Sequence, residues 1–165
     1  MLIRPVILST LVLIAVSCGQ NVLYEESRTI PGAEWTYRDT LDFAFTVTDT
    51  AALYNMYVVF GHAASFPNQN IYTKLYTRFP DGKRLSKLKS FDLYDARGAT
   101  LGKCSGGSCE VRRLLQDNAY FNRPGEYVIT LEQFMRRDSI PGLESVGLLI
   151  EQSGKTKADI QGKKK

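Results

Sequence analysis

Residues 71–82 read IYTKLYTRFPDG, and this stretch indicates the fold more clearly than any other part of the chain. Over residues 71–79, apolar or threonine side chains alternate with tyrosine and basic ones, which is the period-two pattern of a half-buried β-strand. Pro80-Asp81-Gly82 then predicts a turn, because proline fixes φ and glycine accepts a positive φ. A second strand is expected directly after this turn.

Similar patterns extend over most of the chain. Residues 55–62 form a nearly continuous apolar run, which predicts a central strand buried on both sides. The alternation in residues 83–94 shifts part-way along, which suggests a strand with a β-bulge, and residues 139–142 are expected to form only a loop. The other predicted strands cover residues 41–47, 110–115, 126–134 and 146–151. Short strands, Gly/Pro turns and weak helical signals together predict an all-β fold, an antiparallel β-sandwich of immunoglobulin-like or jelly-roll-like type.

The first 17 residues have the pattern of a lipoprotein signal peptide. Arg4 precedes an apolar run over residues 6–16, which is as long as a signal-peptide core and short for a membrane span. The run ends in IAVSC at residues 14–18, which looks like the lipobox at which bacterial lipoproteins are cut before a lipidated cysteine. We therefore expect lipidation of Cys18 and attachment to a membrane through this lipid anchor. An ordinary secretory signal that contains a cysteine is the alternative.

The formal net charge of +4 arises from the two ends of the chain. Arg4 belongs to the signal peptide, and residues 154–165 contain five lysines against the single acid Asp159. Residues 18–153 carry a slight excess of acidic side chains, so nucleic acid is not an expected partner. We predict a signal peptide over residues 1–17, a single β-sandwich domain over 18–153 and a basic, disordered tail over 154–165. The tail is expected to be a solvated terminus, with contact to anionic lipid or an acidic partner as the alternative.

The sequence contains no recognisable catalytic or metal-binding pattern, and we expect neither an enzyme nor a cofactor. It has one histidine and lacks the G-x-S-x-G, P-loop and H-E-x-x-H motifs. Asp39 and Asp42 are spaced so that a strand would place them on opposite faces, which argues against a glycosidase pair. His62 ends an apolar strand, where a hydrogen-bonded structural histidine is the expectation.

Cys104 and Cys109 flank a Gly-Gly turn in the sequence CSGGSC. In an exported protein this pair is expected to form a disulfide at the tip of a hairpin. A reduced pair is one alternative, and a metal site is another, although it would need two further ligands.

Two groups of aromatic side chains are candidates for binding. Tyr72, Lys74, Tyr76 and Arg78 share one face of the predicted strand and form an aromatic-basic stripe. The stripe is either a plain outer sheet face with cross-strand pairs or a contact face for a protein or a glycan. Trp35, the single tryptophan, is expected in the core rather than in an exposed sugar-binding platform.

The last third of the chain resembles a known family. Phe121, PGEY at residues 124–127, EQFMR at 132–136 and PGLESVGLLIE at 141–151 match the pattern of the gliding motility lipoprotein GldH family of the Bacteroidota. The lipobox and the Phe79-Pro80-Asp81-Gly82 segment agree with it. The Cys104 to Cys109 segment is a departure from that pattern.

The resemblance implies an outer-membrane lipoprotein of the gliding and type IX secretion machinery, with proteins of that machinery as its partners. Gly19 follows the expected anchor where inner-membrane lipoproteins carry Asp, and no acid precedes Glu25. Both features favour the periplasmic face of the outer membrane. No catalytic residue carries over from the family. The alternative function is glycan binding in a polysaccharide-uptake system, which requires an exposed aromatic platform.

Overall fold

The computed structural model of the chain describes residues 21–161, so the predicted signal peptide and Cys18 lie outside the described residues. Among residues 21–161 no helix has the length and apolar character needed to cross a membrane. The elements are, in chain order, β1 (Val22–Thr29), a 3₁₀ turn (Pro31–Ala33), β2 (Glu34–Thr36), β3 (Leu41–Val47), β4 (Ala52–Ala63), β5 (Asn70–Arg78), β6 (Arg84–Asp92), β7 (Lys103–Ser105), β8 (Ser108–Ala119), β9 (Gly125–Gln133), β10 (Ser139–Pro141), β11 (Leu143–Thr156) and α1 (Lys157–Gln161).

Eight long strands form two antiparallel sheets whose buried faces pack together. The larger sheet has the order β1-β11-β4-β8-β7 and the smaller sheet the order β3-β9-β5-β6. Among the long strands, the first pairs with the last, and each successive pair nests inside the previous one: β1 with β11, β3 with β9, β4 with β8, and β5 with β6. This nested pairing is the jelly-roll arrangement. The predicted sandwich is confirmed, and of its two expected types the structure has the jelly-roll.

The strands that were predicted from clear alternation are present. β3, β5 and β9 begin and end within one residue of the predicted ranges. In β3, the side chains of Phe43, Phe45 and Val47 are buried while the residues between them are exposed. The predicted central strand is β4, which lies between β11 and β8 in the larger sheet.

Two local predictions are wrong. The β5–β6 pairing runs without interruption from Asn70 opposite Asp92 to Arg78 opposite Arg84, so β6 has no bulge in this pairing. Its alternation shifts because Lys87 and Lys89 occupy the inward-facing positions, opposite the buried Leu75 and Thr73. Residues 139–141 are not only a loop, because they form β10 and pair with β2.

The C-terminal segment is more regular than the sequence predicts. β11 continues past residue 153 to Thr156, which lies opposite Ala52 of β4, and α1 follows directly. The Asp159 carboxylate accepts hydrogen bonds from the Thr156 backbone N–H (2.7 Å) and hydroxyl (2.8 Å). These bonds fix the start of α1, since the first backbone N–H groups of a helix lack partners within it. Residues 162–165 lie outside the described residues.

Aromatic side chains fill much of the space between the sheets. Phe45 of the smaller sheet stacks on Tyr127 with ring centroids 5.8 Å apart, and Phe121 packs edge-on against Tyr127 at 4.8 Å. As predicted, Trp35 belongs to the core: it is fully buried, and its indole N–H donates to the Asp39 carbonyl at 2.8 Å. The indole therefore fixes the 35–39 turn against the core and is unavailable to a sugar.

The antiparallel order gives the sandwich two distinct ends. The N-terminal end contains the start of β1, the end of β11 and α1, because the Gln152 N–H donates to the Asn21 carbonyl at 2.9 Å. The hairpin end contains the β7–β8 hairpin, since Cys109 of β8 lies opposite His62, at the other end of β4 from Ala52. Each end presents a different set of side chains.

Candidate functional site

The predicted aromatic-basic stripe lies on the outer face of the smaller sheet. Within β5, Ile71, Thr73 and Leu75 are buried, so the alternate side chains point away from the core. Tyr72 is the most exposed member of the stripe, with 43% of its surface accessible. The structure therefore brings the predicted residues together on the outer face of β5. These residues are Tyr72, Lys74, Tyr76 and Arg78.

Contacts within β5 and across to β9 occupy part of this stripe. The Lys74 ammonium lies 5.1 Å from the centroid of the Tyr76 ring, and the nearby Tyr76 hydroxyl is the main cause of the raised pKa of Lys74. Arg78 forms an ion pair with Glu126 of β9 at 3.0 Å. Lys74 is held by a ring of its own strand and Arg78 by the neighbouring strand β9, whereas Tyr72 is the most exposed residue of the stripe.

A shallow groove of about 580 Å³ runs over the same outer face. Its walls combine the rings and basic groups of β5 and β6 with carboxylates from β3 and β9. The residues that decide its charge are Arg78, Arg84, Asp42, Glu126 and Glu132. A surface of mixed charge beside tyrosine side chains suits hydrogen bonding to a polar partner and gives no strong preference for one sign of charge.

The Cys104–Cys109 pair lies away from this face, at the hairpin end. The two residues are opposite each other in the β7–β8 ladder with their Cα atoms 3.9 Å apart, and the structure joins them by a disulfide. Gly106 and Gly107 form the turn with φ values of 60° and 88°. Two consecutive positive φ values match a two-residue hairpin turn whose twist fits the flanking strands.

The single histidine is buried and hydrogen-bonded, as predicted. His62 is fully buried, its Nδ1 lies 2.8 Å from the Ala63 carbonyl, and its ring packs against those of Phe66 and Tyr94. Within residues 21–161 no group of three or more His, Cys, Asp or Glu side chains is placed to hold a metal ion. Asp39 and Asp42 have separate partners, the hydroxyls of Thr36 and Thr130 respectively.

A second surface feature, which the sequence analysis missed, lies where β6 and β8 border the space between the sheets. A cleft of about 560 Å³ opens there, and Leu85 at its rim is 64% exposed. Its other apolar walls come from both sheets and include Met56, Leu75, Leu115, Phe121 and Ile129. The sequence signal was the shifted alternation of β6, which places Lys87 next to Leu85 at this opening.

One basic side chain, Lys89, reaches from β6 to β8 beside this opening. Lys89 donates from Nζ to the carbonyls of Leu114 (2.8 Å) and Leu115 (2.5 Å), where the pairing of β8 with β4 is interrupted. Burial, and then the positive charges of Lys87 and Arg113, lower the pKa of Lys89. Inward-pointing charges on edge strands are a known way to prevent two sheets from joining edge to edge.

The sequence profile of the GldH lipoprotein family matches residues 22–150, which span the sandwich from the start of β1 into β11. The chain belongs to the GldH lipoprotein family. The gliding motility lipoprotein GldH homolog of Christiangramia forsetii is 24% identical over 144 residues, and the alignment covers 83% of this chain and 88% of that one. The resemblance of the C-terminal segments therefore extends through nearly the whole domain.

Solved structures share the β-rich architecture only distantly. A carbohydrate-binding module specific for non-crystalline cellulose aligns with a TM-score of 0.40 and 11% identity, over 75% of this chain and 69% of the module. Dimeric latent PorU from Porphyromonas gingivalis aligns with a TM-score of 0.34 and 13% identity, over 84% of this chain and 14% of PorU. These values are too low to carry an argument about ligands or partners.

Proposed function

We propose that this GldH-family protein is a non-enzymatic outer-membrane lipoprotein that supports gliding motility or type IX secretion through contacts with other envelope proteins. The observation that carries the proposal is the family match over residues 22–150, together with the relative named a gliding motility lipoprotein. The lipobox before Cys18 supplies the anchor, and Gly19 beside it favours the periplasmic face of the outer membrane. The domain then works as a tethered binding module.

The proposed contact face is the outer face of the smaller sheet. Among residues 21–161, the extensive contacts of β5 with other strands are those with its sheet neighbours β6 and β9, and Tyr72 stands out from this face. Tyrosine is favoured at protein interfaces because a large ring is buried at a small cost in side-chain entropy. Lys74 and Arg78 are already positioned by Tyr76 and Glu126, so little further ordering is needed when a partner binds.

Gene deletion with complementation tests the function. The deletion is expected to reduce secretion of type IX cargo, measured by mass spectrometry of the culture supernatant, and to reduce colony spreading if the organism glides. Complementation with the unchanged gene should restore both. Normal cargo secretion and normal spreading in the deletion strain would contradict the proposal.

Matched surface variants test the contact face. Tyr72→Ala removes the exposed ring of the stripe, whereas Leu114→Ala removes a similarly exposed side chain from the outer face of the other sheet. We expect only Tyr72→Ala to lower secretion or spreading at equal protein levels, which immunoblotting would establish. An equal effect of the two variants, or none from Tyr72→Ala, would place the contact elsewhere.

Glycan binding by the same face is the second candidate function. The observation in its favour is the groove beside Tyr76, whose carboxylate and arginine side chains could hydrogen-bond sugar hydroxyls. Affinity electrophoresis in gels containing soluble polysaccharides tests it. Retardation of the protein that is lost in Tyr72→Ala and kept in Leu114→Ala would favour glycan binding by this face. Unchanged mobility in every gel would exclude the tested polysaccharides as ligands.

A further inference from the structure

The chain leaves the expected lipid anchor very close to the N-terminal end of the sandwich. Asn21 is already hydrogen-bonded to Gln152 of β11, and only Gly19 and Gln20 separate it from Cys18, so the tether from Cys18 to Asn21 is three Cα–Cα steps long. Three extended steps reach about 10 Å at most. If Cys18 carries the anchor, the N-terminal end of the domain must lie against the membrane surface, because the tether is too short for any other end.

Exposed apolar side chains collect at this same end. Val22 begins β1, Tyr120 follows β8 and Ile160 lies in α1, and their exposed fractions are 49%, 62% and 41%. Three separate elements therefore contribute apolar surface where the end of a sandwich would ordinarily be polar. Tyrosine and aliphatic side chains in such a position suit the boundary between lipid headgroups and acyl chains.

Lysines accompany these apolar side chains. The Lys157 ammonium lies 5.1 Å from the centroid of the Tyr120 ring, and Lys155 is exposed at the end of β11. Neither lysine forms an ion pair with a carboxylate among the residues that the structure describes. In the sequence, three more lysines follow at residues 163–165. The basic C-terminal segment thus begins beside the N-terminus because β1 and β11 are antiparallel neighbours.

We propose that the N-terminal end of the sandwich is a membrane-contact face that binds anionic phospholipid. Val22, Tyr120 and Ile160 enter the interfacial layer, while Lys155 and Lys157 contact the lipid headgroups. The inference rests on the proposed anchor at Cys18 and adds a further membrane signal to it. Stable attachment requires at least two such signals, for example two lipid chains, or one lipid chain and a basic patch. Each lysine near an anionic surface is worth about a fivefold change in membrane affinity.

Depth-dependent fluorescence quenching tests the apolar part of the proposal. The lipidated full-length protein is reconstituted in vesicles of phosphatidylethanolamine and phosphatidylglycerol that carry brominated acyl chains. Tyr120→Trp should be strongly quenched, whereas Tyr72→Trp, on the outer face of β5, should not. The native Trp35 is fully buried and adds a constant background. Equal quenching of the two introduced tryptophans would overturn the proposal.

Charge reversal tests the role of the lysines. In the Tyr120→Trp protein, Lys155→Glu with Lys157→Glu should reduce quenching in these vesicles and have little effect in phosphatidylcholine vesicles. Arg97→Glu with Lys103→Glu reverses two exposed charges away from this end and is the matched control. Equal effects of the two double variants would overturn the role of anionic lipid. Equal quenching of the Tyr120→Trp protein, without charge reversal, in the two vesicle types would also overturn it.

Vesicle flotation separates this inference from the proposed function. Protein that does not float, and whose mass shows no lipid on Cys18, would overturn the anchor itself. Protein that floats without quenching of Tyr120→Trp would leave the anchor standing and overturn only the membrane-contact face.

Discussion

Trp35 shows how one side chain can secure a turn and the core together. It is fully buried, and its indole N–H satisfies the Asp39 carbonyl. Trp35→Ala should lower the free energy of unfolding by about 3–5 kcal/mol, because it leaves a large cavity. Trp35→Phe should cost less, since it keeps most of the packing and loses the hydrogen bond. Urea denaturation measures both changes, and a loss below about 1 kcal/mol for Trp35→Ala would contradict this account.

Asp81 gives a prediction about pH. Its carboxylate accepts the Lys83 backbone N–H at 3.1 Å, and this bond, with the charges of Lys83 and Arg123, lowers the pKa of Asp81. The folded state therefore binds a proton less readily than the unfolded state. The stabilisation is complete above the usual aspartate pKa and is lost as the pH falls through the lowered value. Asp81→Asn should be less stable than wild type at pH 7, and the difference should vanish in strong acid.

An NMR titration of the Asp81 carboxyl carbon checks the direction of the shift. A midpoint at or above the value of an unstructured aspartate would contradict it.

At the scale of single elements, alternation predicts a strand well only where one face is fully buried. β3, β5 and β9 each bury a continuous row of side chains, so their patterns and their bounds agree with the sequence analysis. β6 borders an open cleft, where inward positions can hold lysines, and its sequence pattern therefore resembles that of a bulged strand. β10 is too short for any periodicity to be recognised.

The inward lysines of β6 give a prediction about self-association. Lys87→Val removes a charge from the exposed rim of an edge strand and should let two β6 edges pair. The variant should show a larger, concentration-dependent mass in light scattering after size-exclusion chromatography. Arg97→Val adds a similar apolar side chain in a turn and is the control. Equal masses for the two variants would contradict the protective role of Lys87.

The β7–β8 hairpin gives a prediction about redox state. Cys109 is buried in the folded protein, so thiol labelling must be done in denaturant, with and without reductant. Cys104 and Cys109 should label only after reduction, and replacing both by serine should cost about 2 kcal/mol in the chain-entropy view of a short loop. Equal labelling in the two conditions would refute the disulfide.

At the scale of the whole molecule, the sequence indicated a sandwich but left its topology open. Local patterns show that strands exist, whereas the nesting of β1 with β11 joins segments more than a hundred residues apart. Neither segment, taken alone, has a sequence pattern that predicts this pairing. The same distinction holds for the surface features. The stripe lies on one strand, β5, and can be predicted from a single stretch of sequence, whereas the cleft between β6 and β8 forms only when two strands distant in sequence meet.

Attachment to the membrane gives the prediction at this scale. Cys18→Ala removes the thiol that would receive the lipid, so the lipoprotein peptidase should leave the signal peptide uncut and the product unlipidated. Mass spectrometry and metabolic labelling with a fatty-acid analogue measure the two effects. Lipid incorporation and processing equal to wild type would rule out Cys18 as the anchor.

The disulfide-closed hairpin has a consequence for how far the protein can reach. β4 has twelve residues and runs the length of the sandwich, which is about 40 Å at the usual rise per residue. With the N-terminal end held at the bilayer, the Gly106-Gly107 turn would stand about 4 nm above the lipid headgroups. A component located farther from the membrane would meet this end of the sandwich first. The cross-link then holds the short β7 strand against the start of β8 at the end of the sandwich that points away from the bilayer.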